Sequence, residues 1–549
     1  MSLISLSTVN ELTTIFTLII ISYVSYYYYK YFTRRNPLPG PLPLPLIGNI
    51  HNLILSGDTA EYSLALQKKY GDLFEIYVGS ERHIWLNRSD LIEKLFSSST
   101  KTPFNIRSAS EGLDELGITS NGVGFNNDLT SWRFNRKILT QSLMVPSFLR
   151  LFVEFTKNSF DEMDQYWENL NQDFKSSSST SVENIVFDLP NWMKRFTTDT
   201  IFPALTGKRS YTLALYYNRL VNSKELKTTI PKTSCDSEEF IEAIRTWLHA
   251  LQFFYFIPKF LRNYVPPFMF YRQKFLKSMS WTKNEILKIV KETRNELKEG
   301  GRTSNSDLLT LFCTTNTEMD SKRINNIDEF SRPLTDEEIM YSMFDVLTGG
   351  IDTSANSLCF IVYYLSKHPQ YKRRLIEEID GLLGPPNSMT ENRLLTLEDI
   401  DKLEFCEAVV KETARLMPVV PSVFRQSSSS NELDEVANMK WEKGVTYFQH
   451  VHGIHMNKAN WKDPEEFNPN RFMKDSSKKI DKNSFIPFGG GLRICPGRYL
   501  AMINIKTLLA LMYSKYDINL VDMNSPLKKA YSLVNYCVEL DVYITKRNA

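Results

Sequence analysis

An eighteen-residue run free of charge, LTTIFTLIIISYVSYYYY at 12–29, lies near the start of the chain and constrains everything that follows it. As a helix at about 1.5 Å per residue it measures roughly 27 Å, against a bilayer hydrocarbon core of about 30 Å, so it nearly spans the core and is a candidate membrane span. Four consecutive tyrosines, Tyr26 to Tyr29, followed by Lys30, Arg34 and Arg35, supply an interfacial aromatic belt and a positive flank. Before the run the only charged side chain is Glu11. This asymmetry predicts that residues 1–11 lie on the lumenal side and that everything after the span stays in the cytosol. A cleaved signal peptide is the alternative, but it requires a basic stretch before the apolar run and small residues at a cleavage site, and neither is present.

Residues 30–45 carry the basic flank and then PLPGPLPLP, whose alternating prolines cannot form a helix and favour a stiff, extended spacer between anchor and body. The body, 46–549, is globular in composition. Hydrophobic residues make up 42% of the chain and charged ones 23%, which allows a large core and excludes a disordered, collagen-like or coiled-coil protein. With 65 Lys and Arg against 63 Asp and Glu, the net charge of +2 gives no electrostatic case for a nucleic-acid partner. Six scattered cysteines with no CxxC pair suit a reducing compartment.

GDLFEIYVGSERHIWL at 71–86 predicts a hairpin turning at Gly79 and Ser80. Thr335 and Glu338 form a capping box that opens a long helix running to about His368, before Pro369. A second helix is expected from Thr396 to about Met417, and a third from Pro496 onward. Short strand-like segments occupy 419–448 and the last twenty-odd residues, and serine runs at 97–99, 176–179 and 427–430 predict loops. The fold class expected is mainly α with small β-sheets, behind a single N-terminal transmembrane helix.

The chemistry concentrates in FGGGLRICPG at 488–497. Three successive glycines let the backbone lie close over something flat. Cys495 stands where a helix begins, so unpaired N–H groups and the helix dipole favour its thiolate, which suits a metal ligand. A buried structural cysteine beside a glycine turn is the plain alternative. Phe488, Gly491, Arg493, Cys495 and Gly497 match every fixed position of FxxGxRxCxG, and the stretch thereby resembles the heme-binding signature of cytochromes P450.

That resemblance implies heme b with Cys495 as proximal thiolate ligand, Arg493 on a heme propionate and Phe488 packed near the sulfur. GGIDTS at 349–354 is similar to the family's [AG]GxDT motif. It implies that Gly349 and Gly350 line an oxygen-binding groove and that Asp352 and Thr353 deliver protons to the reaction centre. Without the resemblance, a polar helix face with a packing glycine explains these residues equally well. Glu412 and Arg415 match ExxR, and Arg471, in PNRF, matches the arginine of PERF, which implies a buried network of three; Asn470 departs from that motif's Glu. Trp132 and Arg136 match WxxxR, and Arg425 follows Pro418 and Pro421 where the family places another propionate arginine.

His450, His452 and His455 raise a metal hypothesis, since alternation on a strand would put the first two on one face, but the segment continues as the stretch leading into PERF and needs no second metal. The function implied is a cytochrome P450 monooxygenase of the endoplasmic reticulum membrane, using O2 and NADPH-derived electrons on a lipophilic small molecule. NADPH–cytochrome P450 reductase is the implied partner, with cytochrome b5 as a second candidate donor. Two rivals are a P450-like isomerase or dehydratase acting on peroxides, against which Asp352 and Thr353 argue, and a heme-binding sensor without turnover. Asn87-Arg88-Ser89 is a glycosylation sequon, expected to stay unmodified if the body is cytosolic.

Overall fold

The protein is described by a computed structural model covering residues 6–547, apart from 108–109, 178–184, 222–223, 226, 232–236, 302–306, 318–331, 386–394, 429–432 and 476–478. The apolar run lies inside one longer helix, Leu6–Phe32, of which Asn10–Phe32 is long and apolar enough to cross a membrane, with no residue of its apolar window buried in the body. Residues 1–5 of the expected lumenal segment lie outside the described residues.

The proline-rich run is extended, as its composition requires, but it is strapped to the body rather than standing free. Pro residues lack an N–H yet keep a carbonyl. Pro39 O accepts the Glu75 N–H at 3.0 Å, and Asn49 Nδ2 donates to Pro41 O and Leu42 O at 3.1 Å each. Gly40 is needed here, because a Cβ would come within 2.1 Å of Glu75 O. Glu75 is itself 1% exposed and pairs with Arg34 Nε and Arg82 Nη2, each at 2.5 Å. Arg34 lies 3.9 Å over the Tyr31 ring, and Tyr31 packs edge-on against Tyr77.

The predicted hairpin is present as strands Leu73–Val78 and Glu81–Leu86, in register from Leu73 opposite Leu86 to Val78 opposite Glu81. It continues into a four-stranded sheet through Thr446–Gln449, parallel to Glu81–Leu86, and then Val423–Gln426, antiparallel. The C-terminal strands Tyr516–Leu520 and Asp541–Lys546 join Val186–Asp188 in a second sheet, and Lys528–Ser532 with Val534–Glu539 forms a separate hairpin. Leu433–Val436 pairs antiparallel with Met439–Glu442, and most of the remaining regular structure is helical.

At the centre runs the helix Asp336–Lys367, opened by the expected capping box: Glu338 N donates to Thr335 Oγ1 at 3.2 Å and Thr335 N to Glu338 Oε2 at 2.9 Å. It is buried over most of its surface, with Ile351, Leu358, Cys359, Phe360, Val362 and Leu365 at most 1% exposed, as befits a helix enclosed by others. The helix Leu189–Thr206, equally buried, packs along it.

Several expected boundaries shift. The helix read from Thr396 to Met417 is two helices, Leu397–Lys402 and Glu404–Leu416, with Leu403 non-helical between them. The break is stabilised from outside: Glu378, on the neighbouring helix Pro369–Leu383, accepts the N–H groups of Phe405 at 2.6 Å and Cys406 at 2.8 Å and so caps the second helix. The third helix starts at Arg498, with Gly497 as its N-cap. Ser176 and Ser177 belong to the helix Pro146–Ser177, while 178–179 and 429–430 lie outside the described residues.

Asn87 is fully buried, its Nδ2 donating to Asp72 O at 3.1 Å and its Oδ1 2.6 Å from His450 Nδ1. A glycan has no room there once the body is folded, so an unmodified Asn87 does not by itself report the side of the membrane.

Candidate functional site

Residues 488–497 fold into a closed loop in which Cys495 N–H donates to Phe488 O at 3.0 Å. Gly489 at φ 71° and Gly491 at φ 63° take the left-handed backbone that glycine favours. Gly490 is extended, and a Cβ there would meet the Phe96 ring at 2.3 Å. The loop delivers Cys495 three residues before the helix Arg498–Lys515. Burial raises the Cys495 thiol, while the Gly497 N–H and then Arg136, Arg498 and Arg107 oppose that rise. These are the groups that would stabilise a thiolate.

Beside the cysteine four guanidiniums converge from separate parts of the chain. Arg493 donates through Nε to Asn105 O at 2.6 Å and through Nη2 to Asn126 O at 2.5 Å, and it lies 4.0 Å over the Trp132 ring. Arg425 donates to Phe424 O at 2.8 Å, and Arg136 to Ile494 O. The fourth, Arg107, belongs to no motif read from the sequence. Among the described residues none of the four has a carboxylate within ion-pair distance. Burial lowers Arg493 to about 8, with Arg107 and Arg136 adding to the drop. Burial followed by Arg136 lowers Arg107 to about 10. Arg425 falls well below its ordinary value by burial, then by Arg107 and Arg493. Trp132 Nε1 and Arg107 Nε are buried donors without acceptors among the described residues. Cations gathered this closely, with spare donors, fit an anionic ligand carrying more than one carboxylate.

The long helix separates the two glycines read together from the sequence. A Cβ at Gly349 would meet nothing within 4 Å, whereas one at Gly350 would lie 3.3 Å from Ile201 Cδ1. Gly349 therefore faces open space, and Gly350 permits close packing of the Leu189–Thr206 helix. Thr353 Oγ1 donates to Gly349 O at 2.7 Å, and the buried Asp352 carboxylate is 3.4 Å from Lys194 Nζ. Adjacent on the helix, the two side chains thus engage different partners.

Glu412, Arg415 and Arg471 do come together. Arg415 grips Glu412 with Nε at 2.7 Å and Nη2 at 2.8 Å, both residues being inaccessible to solvent, and Arg471 Nε is 3.4 Å from Glu412 Oε1. Asn470, the departure from PERF, accepts from Arg374 Nη1 at 2.6 Å. The histidines are not on one strand: His452 and His455 sit on the short helix Val451–His455, with His450 just before it. His455 Nε2 accepts the Ile486 N–H at 2.8 Å. Burial holds His455 at about 3 and His452 at about 4, so both are neutral near pH 7.

A family model described as cytochrome P450 matches residues 38–536. Among curated proteins, the chain is 25% identical over 496 residues to cytochrome P450 3A2 of Rattus norvegicus, covering 88% of this chain and 86% of that one. It is likewise 25% identical over 494 residues to cytochrome P450 3A14 of Cavia porcellus, with the same coverage. Against cytochrome P450 3A6 of Oryctolagus cuniculus it is 25% identical over 511 residues, 90% of this chain and 88% of the other.

Proposed function

The chain belongs to the cytochrome P450 family as a heme-thiolate monooxygenase, and from that premise we propose that Cys495 is its iron ligand and that Trp132, Arg107, Arg136, Arg425 and Arg493 hold the heme carboxylates. The observation that carries this reading is the cluster of four arginines, unpaired with any described carboxylate, beside a cysteine loop flattened by glycine. Heme, when bound, supplies reductive activation of O2 and insertion of one oxygen atom into the substrate. The chain supplies the rest. Gly349 leaves room above the helix, and Thr353 holds a proton at Oγ1, which it releases by giving up its bond to Gly349 O. Asp352, once free of Lys194, is placed to take a proton from solvent and pass it on to Thr353 Oγ1. Glu412, Arg415 and Arg471 fix the loops behind Cys495 and touch no substrate.

The substrate is a lipophilic small molecule. Supporting this, Phe253, Phe268, Tyr271 and Phe275 form an aromatic side of an open cavity of about 680 Å³, whose mouth also carries Glu242, Arg245, His249 and Lys274. It shares Leu53, Thr59, Phe256 and Tyr531 with a small inner pocket that reaches Phe424, next to Arg425. The division into anchor (12–29), linker (30–45) and catalytic body (46–549) belongs to the same reading. So does an endoplasmic reticulum location with the body in the cytosol, where NADPH–cytochrome P450 reductase and cytochrome b5 can donate electrons; the positive flank of the span supports it. The test is the reduced, CO-bound absorption spectrum. The wild type should show the band of a thiolate-ligated heme and Cys495→Ala should lose it; persistence of the band in the variant would remove the assignment.

A further inference from the structure

Two half-buried, oppositely charged side chains that the heme reading does not use fasten the segment 116–124. Asp345, on the long helix one turn before Gly349, accepts the Val123 N–H at 2.6 Å and the Gly124 N–H at 3.0 Å on one carboxylate oxygen. A Cβ at Gly122 would come within 2.3 Å of that oxygen, and one at Gly124 within 3.0 Å of the other, so the carboxylate reaches the backbone only because both positions are glycine. Lys283, on the helix Pro266–Lys298, donates at 3.1 Å to Leu116 O and at 3.1 Å to Tyr341 OH. From the opposite side Arg493 holds Asn126 O and faces Val123 O. The segment is therefore pinned between the long helix and the arginine cluster.

We propose that Asp345 and Lys283 are positioning residues forming a charge latch, which shuts the segment 116–124 against the long helix as a wall of the substrate chamber and stays shut only while both are charged. The groups facing Asp345 are Lys283, Tyr341, Arg107 and Arg493; those facing Lys283 are Asp345, Glu337 and Tyr341. Burial lifts Asp345 to about 6 despite the two N–H donors, and burial lowers Lys283 to about 8. Below the first value the carboxyl takes a proton, and above the second the amine loses one. Either change removes one half of the pair, so the latch is fully charged only near neutral pH. The latch itself does not depend on the heme reading, whereas its place as a chamber wall does.

Hydrogen–deuterium exchange on the heme-loaded, full-length enzyme tests the latch, and CO rebinding after flash photolysis tests the chamber. In Asp345→Ala a peptide covering 117–127 should exchange at least tenfold faster, while one covering the strand Val423–Gln426 keeps its wild-type rate. Asp345→Asn and Lys283→Met, milder changes that keep the site filled, should give smaller increases in the same peptide. Wild-type exchange there, corrected for the intrinsic rate, should rise on moving from pH 7 to 5.5 and to 8.5. Gly124→Ala, which leaves every charge in place, should also loosen it. Unchanged exchange in Asp345→Ala, or equal acceleration in both peptides, would overturn the latch. CO rebinding should become severalfold faster in Asp345→Ala. Unchanged rebinding alongside faster exchange would remove the chamber wall, and a wild type without a thiolate-type CO complex would count against the heme reading.

Discussion

Arg415→Ala should be among the most damaging substitutions available to the fold. The guanidinium makes a two-point bond to Glu412 and donates in addition to Pro464 O at 2.6 Å, Glu466 O at 3.0 Å and His455 O at 3.1 Å. Truncation leaves a fully buried carboxylate with only the Asn468 N–H at 2.8 Å and Arg471 at 3.4 Å, and three carbonyls lose a donor. Breaking a buried ion pair from one side costs about 3–5 kcal/mol, and the stranded carbonyls place this case near the upper end, about 5 kcal/mol. That is a third or more of a typical domain stability of about 5–15 kcal/mol. Arg471→Ala removes a longer contact from a partly exposed residue and leaves the Glu412–Arg415 fork intact, so about 1–2 kcal/mol is expected. Replacing both partners, as Glu412→Gln with Arg415→Met, should recover part of the loss, because no fully buried charge is left unpaired and Arg471, which loses Glu412, is partly exposed. Heme per polypeptide and the urea midpoint by circular dichroism measure all three. A wild-type midpoint with full heme in Arg415→Ala, or an Arg471→Ala variant equally impaired, would refute the reasoning.

Thr353→Ala should retain heme yet divert electrons from product to hydrogen peroxide, read as peroxide formed per NADPH consumed; unchanged coupling would deny Thr353 a part in proton delivery. Folding holds His452 and His455 below their usual 6.5. Below about pH 6.5 the unfolded chain therefore binds protons that the folded one refuses, and stability falls as pH drops toward 4, by up to about 1.4 kcal/mol per pH unit for each histidine. Urea midpoints between pH 7 and 5 should show this decline, and His452→Gln should flatten it. For topology, protease added to intact microsomes should digest the body; because Asn87 is buried, a glycosylation control needs a sequon placed in an exposed loop of the body, and it should remain unmodified.

What the sequence made readable was local. Phe488 to Gly497, Trp132 with Arg136, and Glu412 with Arg415 announce themselves because loop closure and helix periodicity fix their spacing within a few residues. The capping box at Thr335 and the hairpin at Gly79 are local in the same sense. Arg107 has no such spacing: it reaches the cluster through tertiary folding alone, and only its unpaired, buried Nε marks it. The Lys194 contact to Asp352 and the division of labour between Gly349 and Gly350 depend on which helix packs against which face. The break at Leu403 depends on Glu378, a cap from a different helix that no pattern within 396–417 contains.

The junction at Glu75, gripped by Arg34 from the anchor side and by Arg82 from the hairpin, leaves little slack between membrane helix and body. Arg82 also holds Arg35 O and Asn36 O, so the chain leaving the bilayer is tied down on successive residues. A flexible tether would let the body tumble and sample every heading; this one sets a bearing. The cavity mouth at Ile54 and Tyr271 then keeps a constant angle to the spanning helix. Bilayer thickness alters the tilt of a spanning helix, and through this joint a thicker or thinner membrane would steer the opening as a rudder post turns its blade.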